Sequence, residues 1–342
     1  MIVDDFPDRT ITVEGNEYLY FGGTGYLGLA IHPEFVGILT DSIKKWGTFY
    51  GSSRNSNIKL SIYNQFEKYF AQQIGAEDVL TVSSGTLAGR LVIDFLKKSN
   101  PIFFHYPKTH PAILADGSLP LFIDDKLHPR LLEATDEEIV ITVDAILGLE
   151  VAPVSFAFLD NISTSKKITL VIDESHSLGV LGENGSGVFG RIKHSNVESK
   201  IMVSSLGKAL SLSGGVIAGN REFINKLRNE SMFVSSSAAN PAYLEAYCKA
   251  ETIYETQKKR LAKNLNFIAD KLEVKDGIKF NKNYPVIYSE DEGVYNKLFT
   301  EGIIITNFKY PTYKNMMNRI VITANHTEED LKRLIQILNK KQ

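Results

Sequence analysis

The chain has 342 residues, about two domains' worth at roughly 150 residues each. Hydrophobic residues make up 43% and charged residues 23%, and 38 Lys+Arg against 40 Asp+Glu leave a net charge of −2. That balance excludes the broad basic field of a nucleic-acid binder and gives no reason to expect an anionic membrane as partner. The lone Cys248 excludes an internal disulfide and a structural zinc cluster, and it fits a reducing, cytoplasmic setting. The first residues, MIVDDFPDRT, are too acidic and polar for a signal peptide, and no apolar run approaches the ~20 residues of a membrane helix.

The first clear element spans residues 62–75. Ile62, Phe66, Phe70 and Ile74 recur every four residues and Gly75 follows as a stop, which predicts a helix. Residues 79–82 then read as a buried strand, and Ser83-Ser84-Gly85-Thr86 as a turn capping a second helix with Leu91, Val92, Phe95 and Leu96 on one face. Short apolar runs follow at 102–104, 121–123, 139–143, 168–172, 201–203 and 216–218, giving seven strands with the first. Continuous rather than alternating apolar runs suit strands covered on both faces, so the expectation is an α/β fold with a seven-stranded, mainly parallel, doubly wound sheet. Residues 241–273 read as helical. The run 302–306, a loop with Pro311, the run 319–323 and a helix over 327–338 started by Thr327 and Asp330 complete a smaller α/β domain. The expected organisation is an N-terminal segment (1–40), a large cofactor-binding domain (41–230) and a small C-terminal domain (231–342).

In such a sheet, ligands gather at the carboxyl ends of the strands. Three of those ends carry chemistry. Ser84, Gly85 and Thr86 sit at a helix N-terminus, where backbone N–H groups and the dipole suit a phosphate. Asp173 and His176 follow the fifth run. As a metal pair they lack a second His or Cys cluster, and the glycines after them lack dinucleotide spacing. Lys208 follows the sixth run in a Gly/Ser-rich stretch that is no Walker loop. Asp173 can keep a pyridine nitrogen protonated, Lys208 can form a Schiff base with an aldehyde, and the helix terminus can hold a phosphate. One small molecule carrying all three is pyridoxal 5′-phosphate. Asp173 precedes Lys208 by 35 residues, one strand–helix–strand step, which puts both at neighbouring strand ends.

These residues stand in five ordered motifs. DESHSLGVLGENGSG from Asp173 is similar to DDAHSxGVxGxxGxG. SLGKAL around Lys208, with Gly214-Gly215 after it, looks like a cofactor-lysine motif. YLGL from Tyr26, THPAILADG from Thr109 and RIVITANHT from Arg319 complete the set. Together they resemble the α-oxoamine synthase family of the aspartate-aminotransferase fold (fold type I, class I/II aminotransferases), which includes 8-amino-7-oxononanoate synthases. The resemblance implies a homodimeric, pyridoxal-phosphate-dependent acyltransferase joining an amino acid to an acyl-CoA thioester with loss of CO2. An aminotransferase on the same fold is the competing reading. It further implies that Lys208 carries the Schiff base and moves the Cα proton, that Asp173 pairs with the ring nitrogen, and that His176 bonds the phenolic oxygen. His110 would stack on the ring, and Ser84, Gly85, Thr86 and Ser205 would hold the phosphate. Ser236 or Ser237 would reach the partner subunit's phosphate, and Tyr26 and Arg319 would contact substrate, Arg319 through its α-carboxylate. The sequence departs from the family pattern at Tyr63, Thr86, Thr24, Gly25, Asp144 and Gly148.

Overall fold

The computed structural model describes residues 1–309 and 316–340; the loop expected around Pro311 lies outside them. In chain order the first elements are β1 (Thr10–Val13), β2 (Asn16–Phe21), α1 (Pro33–Trp46) and α2 (Ser61–Ile74). The four residues that mark the helical period of α2 all face the core, and Gly75 ends the helix at φ 70, a left-handed conformation that glycine adopts without a Cβ penalty. Next come β3 (Asp78–Val82), α3 (Gly85–Leu96), β4 (Ile102–His105), β5 (Leu119–Pro120), β6 (Phe122–Ile123), β7 (Lys126–Leu127), β8 (Glu137–Asp144), β9 (Lys166–Asp173), β10 (Val197–Ser205) and β11 (Gly215–Gly219).

Among the described residues, seven of these strands form one sheet in the order β3-β11-β10-β9-β8-β4-β5. Five neighbouring strands, β10 to β5, are parallel, and β11 runs antiparallel to both of its neighbours. The runs 139–143 and 168–172 are buried along almost their whole length, as strands covered on both faces must be. One expected strand is displaced. The seventh strand is Leu119–Pro120, not the run 121–123. Pro120 has no N–H to give and so suits an edge. Leu121 turns into the core and is fully buried, while Phe122 and Ile123 pair with Lys126 and Leu127 across a tight turn of Asp124 and Asp125, both at positive φ. Phe122 packs edge-on to Tyr106 and Phe158 instead of joining the sheet.

The chain continues through α4 (Arg221–Leu227), α5 (Ser231–Ser235), α6 (Pro241–Lys249), α7 (Glu251–Lys271), β12 (Ile278–Asn281), β13 (Tyr284–Ser289), α8 (Val294–Thr300), β14 (Ile303–Phe308), β15 (Met317–Val321) and α9 (Glu328–Asn339). A second sheet takes the order β1-β2-β14-β15-β13-β12. Residues 10–21, read from sequence within an N-terminal segment of their own, therefore belong to a sheet completed almost 300 residues later, with β2 parallel to β14. Nothing local announces that pairing: β2 is six residues long and only Leu19 and Phe21 are buried. The α9 cap has the form its sequence predicts, with Thr327 and Asp330 each bonding the other's backbone N–H. Asp330 also binds Arg9 at 2.6 Å. Beside it His326 is buried, stacked on Phe21 at 4.0 Å, with Nδ1 accepting from the Thr323 N–H and Nε2 facing the Tyr20 carbonyl oxygen. Burial pushes its pKa down to about 4.

Candidate active site

The carboxyl ends of β4, β8, β9 and β10 converge on a cavity of about 630 Å³, closed on its far side by side chains of the second sheet. Ser84, Gly85, Thr86, His110, Asp173, His176, Ser205, Lys208 and Arg319, all singled out from sequence, line it. Tyr26, Ser236 and Ser237 do not.

Two carboxyls stand side by side at strand ends: Asp144 on β8 and Asp173 on β9 are register partners. Asp173 accepts from the Ser175 N–H at 2.8 Å, and Asp144 from the His110 N–H at 3.1 Å. Burial and the neighbouring Asp173 charge push the Asp144 carboxyl well above the usual carboxylate range. Lys208 supplies a cation from the loop after β10. Burial pushes its amine below its ordinary value, and the Arg319 charge adds to that, against the attraction of Asp173 and Asp144. The sequence therefore builds an amine that surrenders its proton more easily than a surface lysine, within the field of the carboxylate expected to face it.

Two histidines flank this pair. His110 Nδ1 accepts from the Ala112 N–H at 3.2 Å, which leaves Nε2 to carry the ring proton. Arg90 fixes the same turn by donating to the carbonyl oxygens of Pro111 and Leu114. Burial, opposed by Asp173, lowers the His110 pKa. His176 is held further below its ordinary value by burial and by the cations of Lys208 and Arg319, so it is neutral in this field. Its Nδ1 lies 2.9 Å from the Tyr26 hydroxyl. Tyr26 itself is fully buried, one layer behind His176 rather than on the cavity wall where a substrate contact was expected. The YLGL segment is drawn inward because Ala324 and Gln257 both bond its backbone carbonyls.

The N-terminus of α3 also opens on the cavity, and such a terminus suits an anion. Ser84 caps α3 by accepting from the Leu87 N–H, and the first N–H groups of the helix face the cavity without helical partners. Gly85 is required there: a Cβ would stand 2.8 Å from the N, Cα and Cβ of Ser205. Ser205 is itself fixed, its N–H on Ser175 Oγ at 2.8 Å and its Oγ accepting from the Gly207 N–H at 3.2 Å. The glycine-rich segment after Asp173 wraps Glu174, whose carboxylate accepts from Ser177 Oγ and from the N–H groups of Val188 and Phe189. Burial pushes Glu174 up to about 7. A Cβ at Gly187 (φ 80) would collide with its carboxyl group. Through Glu174, the segment 177–189 braces the strand end that presents Asp173.

On the second-sheet wall, Arg319 Nη2 donates to the Gly23 carbonyl at 3.1 Å, and Tyr288 lies within the field of the same guanidinium. Its Nε is buried with no partner, a donor left for an anionic guest. An enclosed amine, a carboxylate and a helix N-terminus together suit pyridoxal 5′-phosphate: Lys208 would take the aldehyde, Asp173 the ring nitrogen and the α3 terminus the phosphate. Sequence reasoning did not assign site roles to Asp144, Ser175, Tyr284 or Tyr288. A strand-end position marked Asp144 and Ser175, but the tyrosines come from β13, whose place depends on the second sheet. Among the described residues no group of three or more His, Cys, Asp or Glu could hold a metal, and no helix is long and apolar enough to cross a membrane.

Residues 154–338 match the model of the class I and II aminotransferases. A putative 8-amino-7-oxononanoate synthase of Methanococcus vannielii is 30% identical, over 99% of this chain and 96% of that protein. The 8-amino-7-oxononanoate synthase of Thermoanaerobacter pseudethanolicus is 26% identical, over 96% and 88%. The solved serine palmitoyltransferase of Sphingomonas wittichii shares the fold, with a TM-score of 0.80 at 18% identity, covering 98% of this chain and 90% of that one. The chain belongs to the class I and II aminotransferase family, in its α-oxoamine synthase branch.

Proposed function

We propose that this chain is a pyridoxal-phosphate-dependent acyltransferase that condenses an amino acid with an acyl-CoA thioester, releasing the thiol and CO2. The observation that carries the reading is the sharing of one cavity by Lys208, Asp173, Arg319 and the α3 N-terminus. The names of the relatives favour acyl transfer over amino transfer on the same scaffold. When bound, pyridoxal phosphate supplies a cationic ring that draws electron density from the substrate Cα. Asp173 holds the ring nitrogen protonated. His110 packs against the ring face and His176 donates to the phenolic oxygen. Ser84, Gly85, Thr86 and Ser205 hold the phosphate through hydroxyls and backbone N–H groups. Arg319 clamps the α-carboxylate through its fork of donors. Lys208 Nζ, depressed by burial, takes the Cα proton and later returns one.

The same reading includes a homodimer, in which Ser236 or Ser237, both off this chain's own cavity, would reach the partner subunit's phosphate. It also includes a cytoplasmic setting, in keeping with a single thiol at Cys248, and a cofactor-binding unit over 41–230. The test compares wild type with Lys208→Ala for thiol release from a panel of acyl-CoAs, with and without each amino acid. Amino-acid-dependent thiol release that the variant lacks supports the reading. Release of an oxo acid from the amino acid alone, with no thiol, would establish amino transfer instead.

A further inference from the structure

Tyr26 and Tyr284 make one continuous chain with His176. The Tyr26 hydroxyl lies 2.9 Å from His176 Nδ1 and 3.3 Å from the Tyr284 hydroxyl. Tyr26 and Tyr284 are buried and His176 is half-buried, and only His176 and Tyr284 reach the cavity wall. We infer that Tyr26 and Tyr284 are positioning residues that fix the tautomer of His176, Tyr284 donating to Tyr26 and Tyr26 to Nδ1, so that Nε2–H is the edge presented to the cavity.

The argument is one of proton counting. Burial holds the Tyr26 hydroxyl up at about 12 and pushes the Tyr284 hydroxyl well above its ordinary value, so both keep their protons. His176 is neutral, facing Lys208 and Arg319 and, across the cavity, His110, so it has one N–H and one bare nitrogen. With three protons on this chain there are two orderly directions. In one, imidazole donates to phenol and phenol to phenol, and a bare Nε2 faces the cavity. In the other, phenol donates to phenol and then to imidazole. A phenol is the better donor and an imidazole nitrogen the better acceptor, so the second direction prevails. The device is set from outside the large sheet. Tyr284 begins β13 and Tyr26 follows β2, so the second sheet dictates which proton His176 offers. Its value to the reaction rests on the function proposed above, where Nε2–H meets an anionic phenolic oxygen; the tautomer itself does not.

The experiment labels the full-length protein with 15N-histidine and reads long-range proton–nitrogen correlations, both with pyridoxal phosphate bound and after its removal. His176 peaks are those missing from His176→Gln. The expected result is the Nε2–H pattern in wild type, its loss to a mixed or Nδ1–H pattern in Tyr26→Phe, and a partial shift in Tyr284→Phe. The dissociation constant for pyridoxal phosphate should rise about tenfold in Tyr26→Phe, the scale of one well-made buried hydrogen bond. Thermal unfolding by circular dichroism establishes that the variants fold; if Tyr26→Phe does not, Tyr284→Phe, which deletes only the outer hydroxyl, decides. Folded variants with wild-type nitrogen shifts, or a wild-type His176 in the Nδ1–H form, would overturn the inference. A protein with the expected tautomers that never binds pyridoxal phosphate would sink the functional reading and leave this one standing.

Discussion

Replacing Gly85 by alanine sets two effects against each other at the anion cradle. Alanine is the better helix former, and the substitution gains at most ~1 kcal/mol in a helix interior and less in the first turn. Against this, the new Cβ would stand 2.8 Å from three atoms of Ser205, two of them backbone. Carbon contacts settle near ~3.5–4.0 Å, so the α3 terminus and the β10 end must part by roughly 1 Å. Ser205 cannot retreat freely, because Ser175 and Gly207 hold it from both sides. Overpacking of this kind costs ~1–3 kcal/mol, so the clash wins. Where the free protein relaxes by opening the cradle, a phosphate must draw it shut again, and a penalty of ~1–2 kcal/mol then appears as a weakening of about 5- to 30-fold in cofactor affinity. The assay is a fluorescence titration of stripped protein with pyridoxal phosphate. Gly207→Ala is the control, since its Cβ would find only ordinary contacts at 3.5 and 3.6 Å. A Gly85→Ala protein that binds like wild type, or a Gly207→Ala protein equally impaired, refutes the reasoning.

Arg319→Lys keeps the charge and loses the fork, leaving one rotatable ammonium in place of Nε and Nη2; KM for the amino acid should rise ~10- to 100-fold while pyridoxal phosphate affinity holds, and steady-state kinetics beside the same titration check both. His326 gives a pH signature. The unfolded chain takes a proton near its ordinary 6.5, the folded one only at about 4, so stability is full above 6.5 and falls as pH drops toward 4. At pH 5 the deficit is about 2 kcal/mol, and urea unfolding should show that part of the slope vanish in His326→Gln. An unchanged slope would mean that the imidazole titrates normally despite its burial.

Much of the site was legible because it rests on strand ends, and strand ends follow from local patterns. The run 168–172 announces β9, and Asp173 must then sit at its exit; the run 201–203 does the same for Lys208. Residues 121–123 were misread because an apolar run says that side chains are buried, not what buries them. Leu121 satisfies the pattern by pointing into the core, its N–H still on the His105 carbonyl of β4, while Phe122 and Ile123 turn away into a hairpin with Lys126 and Leu127. Tyr26 was misplaced for a related reason. Its motif marks proximity to the site, but depth is set by Ala324 and Gln257, hundreds of residues away. Tyr284 carried no local signal at all, because a tyrosine at the start of β13 is ordinary until the second sheet folds against the first.

That second sheet draws β1 and β2 from residues 10–21 and β14 and β15 from residues 303–321. A chain still emerging from the ribosome can assemble the large sheet, complete by residue 219, well before Tyr284 and Arg319 exist. Until then the amine at position 208 has its carboxylates but not the opposing wall, and β2 waits with an unpaired edge. Translation thus acts as a timer on this centre, and chains cut short before the last strand should accumulate as species that bind a chaperone rather than a vitamin.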